Sequence, residues 1–277
     1  MLPIIRVFGL GLSTYGICTA VGLLLMGVVA LILGRRYGIK PEDIVFGEII
    51  ALVGAFFGAH ILFGLTNLGD IIHYLQRYID GNKDFGYLIR IFQVYVGGMV
   101  FYGGLLGALG FGTLYCRVRK INTESFSDCF AVGIPLFHCF GRLGCFLSGC
   151  CYGIESDVGF TATHAIVKSC NYVNRFPVQL LESALNLIIF SVLLVLFRKR
   201  ILTCKLIYAY LIMYSVLRFF DEFLRGDVYR GIYFGLSTSQ WISIVLFVIS
   251  LILILKKNNY VCDSKNIIPN QNYNAAL

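Results

Sequence analysis

The sequence predicts an all-α, polytopic membrane protein with seven transmembrane helices. Three observations carry that expectation. The chain is 58% hydrophobic and only 14% charged, with a mean hydropathy of +0.78, whereas a soluble domain is closer to half apolar and a quarter charged. Apolar runs of about 20 residues, the length that spans a bilayer as a helix, recur along the chain. The cations gather in short clusters at the ends of those runs. That placement turns the net charge of +8 into topology information and argues against nucleic-acid binding, for which basic arms with interleaved polar residues would be needed.

The runs fall at residues 13–34, 44–66, 93–115, 127–148, 178–197, 205–224 and 237–255. Thirteen Lys and Arg residues lie in one alternating set of connections (Arg35, Arg117 and Lys199 among them), and eight in the other. The positive-inside rule makes the richer side cytoplasmic. The N-terminus is then outside and the C-terminus inside. The N-terminus lacks the layout of a cleaved signal peptide, so the first run reads as an uncleaved span. Residues 1–257 read as a single seven-span domain. Within it, residues 68–92 place Ile71, Ile72, Leu75 and Ile79 at helical spacing, as in a helix lying in the extracytoplasmic interface. Residues 258–277 are polar and Asn-rich, a cytoplasmic tail expected to be disordered.

One stretch breaks the apolar pattern. From Gly141 to Gly153, thirteen residues contain four glycines and Arg142, directly after the apolar run Phe130 to Phe140. An arginine inserted near the bilayer centre costs about 2.5–3.5 kcal/mol, so it usually faces a wet, protein-lined cavity holding something negative. A snorkelling arginine at a helix end is the plainer reading. The glycines favour an anion site, because they let backbone N–H groups approach a ligand closely.

Three further groups belong to the outward side. Gly97-Gly98 and Gly103-Gly104 flank Tyr102 and would break a helix and expose amides, or else pack helices tightly. Arg218 and Glu222 stand four apart on one helical face and Arg225 lies seven from Arg218, as an intramembrane ion pair or as cations aimed at a phosphate. Gln179 and Glu182, three apart, open the fifth run and can both face the bundle interior or simply serve a helix start. The ten cysteines are scattered and offer no pair of CxxC motifs with zinc spacing, so neither metal nor cofactor is expected. Together these residues describe a lipid-handling protein with an outward site for an anionic headgroup.

At these residues the chain resembles the prolipoprotein diacylglyceryl transferase family, over roughly 13–255. Gly141-Arg142-Leu143-Gly144-Cys145-Phe146, with Gly149 and Gly153, is similar to its Gly-Arg-x-Gly-Asn-Phe-x-Asn-x-Glu signature. Tyr102-Gly103-Gly104 falls where the family has His-Gly-Gly. Pro177-x-Gln179-Leu180-x-Glu182 resembles its Pro-Ser-Gln-Leu-Tyr-Glu, and Arg218-Phe219-x-x-Glu222-Phe223-x-Arg225 its Arg-x-x-x-Glu-Phe-x-Arg. Ser239-Gln240-Trp241-Ile242-Ser243 and Tyr15-Gly16 match the openings of its last and first spans.

The resemblance implies a multi-pass enzyme of the bacterial plasma membrane, acting as a monomer without metal. It would pass diacylglyceryl from phosphatidylglycerol, among the membrane lipids, to the lipobox cysteine of a preprolipoprotein signal peptide. Arg142 and Arg218 would hold the phosphate, Glu222 would orient Arg218, and Tyr102 would complete the catalytic set. Tyr15, His60, Gly103, Gly104, Gly144, Cys145, Gln179, Glu182 and Arg225 would line the substrates. The chain departs from the pattern in five places, one of them His60. Cys145, Ser148 and Cys150 replace the two asparagines and the glutamate, and Tyr102 replaces the histidine. Tyrosine, with a pKa of about 10, is a poor base near neutral pH, although it can donate to a phosphate oxygen. His60, where the family usually has arginine, could replace a cation or act as base. The departures keep a second reading open, a lipid- or peptide-binding paralogue without catalysis. A transporter ranks behind both, since no internal repeat is visible. Cys145, Cys150, Cys151 and Cys170 share the outward side, which allows a disulfide from Cys150 or Cys151 to Cys170.

Overall fold

The computed structural model describes residues 2–7, 10–82, 85–226 and 232–256. The tail at 258–277 lies outside the described residues. Helices are α1 (Thr14–Gly34), α2 (Pro41–Thr66), α3 (Leu68–Arg77), α4 (Phe85–Val96), α5 (Phe101–Arg119), α6 (Thr123–Ser148), α7 (Val178–Arg198), α8 (Leu206–Asp221) and α9 (Thr238–Leu255). Between them are short strands, β1 (Ile4–Val7), β2 (Leu10–Ser13), β3 (Glu155–Thr161), β4 (Asn174–Arg175), β5 (Ile232–Tyr233) and β6 (Leu236–Ser237). They pair antiparallel as β1–β2, β3–β4 and β5–β6. The chain is mainly helical, consistent with the expected all-α class, with only short strand pairs between the helices. Strands this short leave no hydropathy signal, because they bury too little to need an alternating pattern.

Among the described residues, five helices are long and apolar enough to cross a membrane: α1 continued to Tyr37, α2, α6, α7 and α9. They coincide with five of the seven apolar runs. The run at 93–115 is divided: its first residues end α4, and α5 starts only at Phe101, after Gly97-Gly98. The run at 205–224 becomes α8, sixteen residues long, followed by a 3-10 turn at Glu222–Leu224.

The chain divides into two compact units, Ile39–Thr123 and a second made of Met1–Gly38 with Glu124–Leu277. In the first, α2 and α5 cross at glycines spaced four apart on each helix. A Cβ on Gly58 would fall 2.2 Å from the Gly103 carbonyl oxygen, and one on Gly107 would fall 2.0 Å from that of Gly54. The two backbones touch, which is how helices associate when lipid removes the hydrophobic drive between them. Asp43, in the first turn of α2, accepts from Arg119 at 2.9 Å and from the Tyr115 hydroxyl at 3.1 Å, tying the ends of the pair.

In the second unit, α1 lies along α6. Gly144 is in close contact with Tyr15, and Gly133 with the Met26 carbonyl. Asp128, fully buried near the start of α6, accepts from the Tyr37 hydroxyl at 2.9 Å and from the backbone N–H groups of Leu206 at 2.8 Å and Cys204 at 2.5 Å. One carboxylate thus fixes the turn between α7 and α8. Lys205 donates to the Ile254 and Lys256 carbonyls, both at 2.8 Å, capping α9 where its dipole is negative. The other end of α9 carries a capping box, Ser237 with Gln240.

Two outcomes test this packing. Gly58→Val should destabilise the protein by at least about 2 kcal/mol, because backbone rather than a flexible side chain blocks the new group. Asp128→Ala should cost at least about 3 kcal/mol by stranding three buried donors, with Asp128→Asn intermediate. Thermal unfolding of detergent-purified protein reads both, and an unchanged Tm would remove the role given to either residue.

Candidate active site

The glycine-rich stretch ends α6 and then runs extended. The Cys150 N–H reaches back to the Cys145 carbonyl at 3.1 Å, and the Gly149 N–H to that of Phe146 at 3.2 Å, with Gly149 left-handed at φ 73°. This is a Schellman end, with glycine where φ must be positive. Tyr152 to Ile154 then join two other segments. Gly226 donates to Tyr152 at 3.0 Å, Ile154 to Leu224 at 3.0 Å and Phe176 to Ile154 at 2.9 Å. Gly153 sits between them so tightly that a Cβ would lie 2.3 Å from the Phe176 carbonyl oxygen. The end of α6, the start of α7 and the segment after α8 are therefore stitched together by backbone bonds.

That stitching assembles a charge network. Glu182, 0% exposed on α7, faces two cations: Arg142 Nε at 2.6 Å and Arg225 Nη1 at 3.4 Å. Asp221, at the end of α8, lies against the Glu182 carboxyl. It also accepts from Arg218 Nη1 at 3.1 Å. Arg218 Nη2 meets Glu222 at 2.6 Å and donates to the Ser239 hydroxyl at 3.2 Å. Arg142 and Arg218 thus belong to one contiguous network through Glu182 and Asp221. Burial explains the tight pairing, since a guanidinium stranded in low dielectric costs several kcal/mol.

The side chains differ in what they leave open. Arg142 is 19% exposed, and the ion pair it makes among the described residues runs through Nε. Arg225 is 2% exposed and holds Glu182. Gln179, also buried, donates to the Cys150 carbonyl at 2.8 Å and pins the glycine-rich stretch. The resemblance implies that Gln179, Glu182 and Arg225 line the substrates; in the structure Gln179 bonds the Cys150 carbonyl, and Glu182 pairs with Arg142 and Arg225. Tyr15 and Gly144 meet where α1 crosses α6. His60 and Tyr102 lie in the other unit, His60 buried edge-on to Phe56 at 4.6 Å. Gly103 packs on Gly58 and Gly104 on α2 near Ala55, so helix contact accounts for both glycines.

Several residues escaped the sequence reading. Asp221 was passed over beside Glu222, although i,i+3 spacing from Arg218 would have found it. His138, one turn before Arg142, takes the Tyr210 hydroxyl at 2.9 Å and stands 5.1 Å from the Tyr214 ring. Residues 152–177 form a small lobe around β3 and β4, in which Arg175 covers the Tyr152 ring at 4.5 Å. An open cleft beside this lobe is lined mostly by apolar groups, Phe146, Phe160 and Phe176 among them.

Cys145, Cys150 and Cys151 converge, their sulfurs within 4.8 Å of one another. No disulfide joins Cys150 or Cys151 to Cys170. The Cys150 thiol donates to the Cys145 carbonyl at 3.7 Å.

Comparison with known proteins gives this geometry its context. A family profile described as prolipoprotein diacylglyceryl transferase matches residues 3–256. A phosphatidylglycerol–prolipoprotein diacylglyceryl transferase of Clostridium tetani is 29% identical over 254 residues, covering 91% of this chain and 96% of its own. A second, from Clostridium perfringens, is 30% identical over 251 residues, covering 90% and 92%. One from Clostridioides difficile is 30% identical over 220 residues, covering 79% and 81%. With a profile that spans nearly the whole chain and relatives aligned almost end to end, the chain belongs to the prolipoprotein diacylglyceryl transferase family.

Proposed function

We propose that this protein transfers diacylglyceryl from phosphatidylglycerol to the lipobox cysteine thiol of a preprolipoprotein signal peptide, in the plasma membrane of a bacterium. The observation that carries the reading is the buried Glu182 carboxylate shared by Arg142 and Arg225, with Arg142 partly open. The reaction breaks the bond between the glyceryl carbon and the phosphate oxygen and forms a carbon–sulfur bond. Negative charge builds on the departing glycerol phosphate. A guanidinium already oriented by a buried carboxylate stabilises that charge without reorganising at the moment of reaction. Arg142 is the phosphate holder in this reading. Arg218, braced by Asp221, Glu222 and Ser239, adds positive potential to the same network. Glu182, Gln179 and Arg225 are positioning residues.

The reading also takes α5 and α8, with the turn after α8, as two further spans. That gives seven crossings, the N-terminus outside and the glycine-rich motif facing outward. The exposed apolar side chains Ile72, Leu75 and Ile79 of residues 68–92 support an interfacial position for that segment.

Incubating the purified protein with phosphatidylglycerol and a lipobox peptide, then weighing the peptide, tests the reaction. A mass increase of one diacylglyceryl group is expected. Well-folded protein that binds the lipid and leaves the peptide unchanged would favour a binding paralogue instead. Arg142→Ala should lower turnover about 100- to 1,000-fold, the scale of losing a preorganised oxyanion donor. Arg142→Lys should recover little, since an ammonium cannot address Glu182 and a phosphate with one planar fork. Glu182→Ala should destabilise the fold by about 3–5 kcal/mol by stranding two buried guanidinium groups, so its activity loss should come with a clearly lower Tm; Arg142→Ala leaves Glu182 still held by Arg225, so its Tm should fall less.

A further inference from the structure

The three converging cysteines have no duty in the reaction as derived so far. Cys145 lies three residues before Ser148, the last residue of α6, and Cys150 two residues beyond it. In a Schellman end these two positions touch, usually through apolar side chains; here both are thiols. Cys151 follows in the left-handed region at φ 54°, a conformation a β-carbon disfavours, and this returns the third sulfur to the other two. All three sulfurs lie within 4.8 Å of one another.

We propose that Cys145, Cys150 and Cys151 form a three-thiolate site for a thiophilic d10 cation, zinc or copper(I). Zinc–sulfur bonds of about 2.3 Å put tetrahedral sulfur ligands about 3.8 Å apart, a modest contraction of the present cluster. Copper(I) is selected by the same soft ligands in a three-coordinate arrangement. The surroundings suit the charge. Arg142 and Arg225 lie within electrostatic reach of Cys151, so three thiolates and one cation sit beside two guanidinium groups. Gln179 holds the Cys150 carbonyl, which fixes the backbone that carries two of the ligands. The cysteine spacing concealed the site. It is neither a CxxC pair nor a repeat of one, and only the chain reversal at Gly149 closes it. Three protein ligands leave a fourth position of a zinc ion open, as in catalytic rather than purely structural zinc sites.

The test uses the full chain in detergent, stripped with chelator under reducing conditions and then offered zinc alone or, anaerobically, copper(I) alone. Metal retained after desalting is counted by mass spectrometry, and affinity is measured by competition with a chromogenic chelator. One ion per chain is expected. Cys145→Ser, Cys150→Ser and Cys151→Ser should each weaken binding by at least about tenfold, and Cys170→Ser should leave it unchanged. Bound metal should also shield three thiols of the wild type from maleimide, a readout that does not depend on how well the variants fold. Substoichiometric metal in both arms, or retention that survives Cys145→Ser/Cys150→Ser/Cys151→Ser together, overturns the proposal. So does recovery of a disulfide among the three cysteines with no metal bound after reduction. No lipid or peptide enters the assay, so its outcome is separate from that of the transferase reaction.

Discussion

A single buried carboxylate organises this site. Glu182 is closed off from solvent and holds Arg142 and Arg225 on opposite oxygens. In water such pairs contribute little. In a membrane bundle the accounting changes, because the alternative to pairing is a charge left in low dielectric. The network therefore costs more to break than it gains by forming. That asymmetry is useful in a catalyst. It fixes the direction of the Arg142 fork before any lipid arrives, and preorganised charge is what a developing phosphate anion requires.

The network also explains why the backbone between 152 and 226 is tied so closely. Glu182 comes from α7, Arg142 from α6, Arg218 and Asp221 from α8, and Arg225 from the turn beyond. No single helix could supply this geometry. The bonds from Tyr152 to Gly226, Ile154 to Leu224 and Phe176 to Ile154 place three of these segments in register. Gly153 is the residue that lets them close, since any side chain there would collide with the Phe176 carbonyl. The glycine-rich motif thus acts first as a joint between helices, and the ligand-facing role of Arg142 depends on that joint.

What could be seen in the sequence follows the range of the interactions. The five spanning helices were legible because apolar length is a local property. So was the Arg218–Glu222 pair, because i,i+4 spacing on a helix leaves little freedom. Family likeness ranked Arg142 and Glu182 as important, but not their contact across 40 positions, which depends on how α6 and α7 meet. Gly103 and Gly104 show a choice that pattern alone leaves open. Paired glycines beside an aromatic can serve a ligand or a helix contact, and the structure shows the contact, with Gly54 and Gly58 of α2 closing on Gly103 and Gly107 of α5. The short strands were invisible because they bury too little to need an alternating pattern, and the lobe at 152–177 because it is tied by scattered bonds such as the Ala165 N–H donating to the Asn171 side-chain oxygen.

The arginines are not equivalent partners for one phosphate. A guanidinium offers five N–H donors in a rigid fork. Arg218 commits both terminal nitrogens, to Asp221, Glu222 and Ser239, and is only 12% exposed. Among the described residues Arg142 pairs through Nε, and it is the more open of the two. A phosphodiester bound bidentately therefore fits Arg142. For Arg218 to grip the same oxygens it would first have to release a carboxylate, leaving that acid uncompensated in a low-dielectric site. Its lower-cost contribution on the proposed reaction is positional: it holds Asp221, which lies against the Glu182 carboxyl that orients Arg142. This ordering also accounts for the third acid. With Glu222 present, Arg218 stays fixed while Asp221 leans toward Glu182, and the network remains connected from α8 to α6.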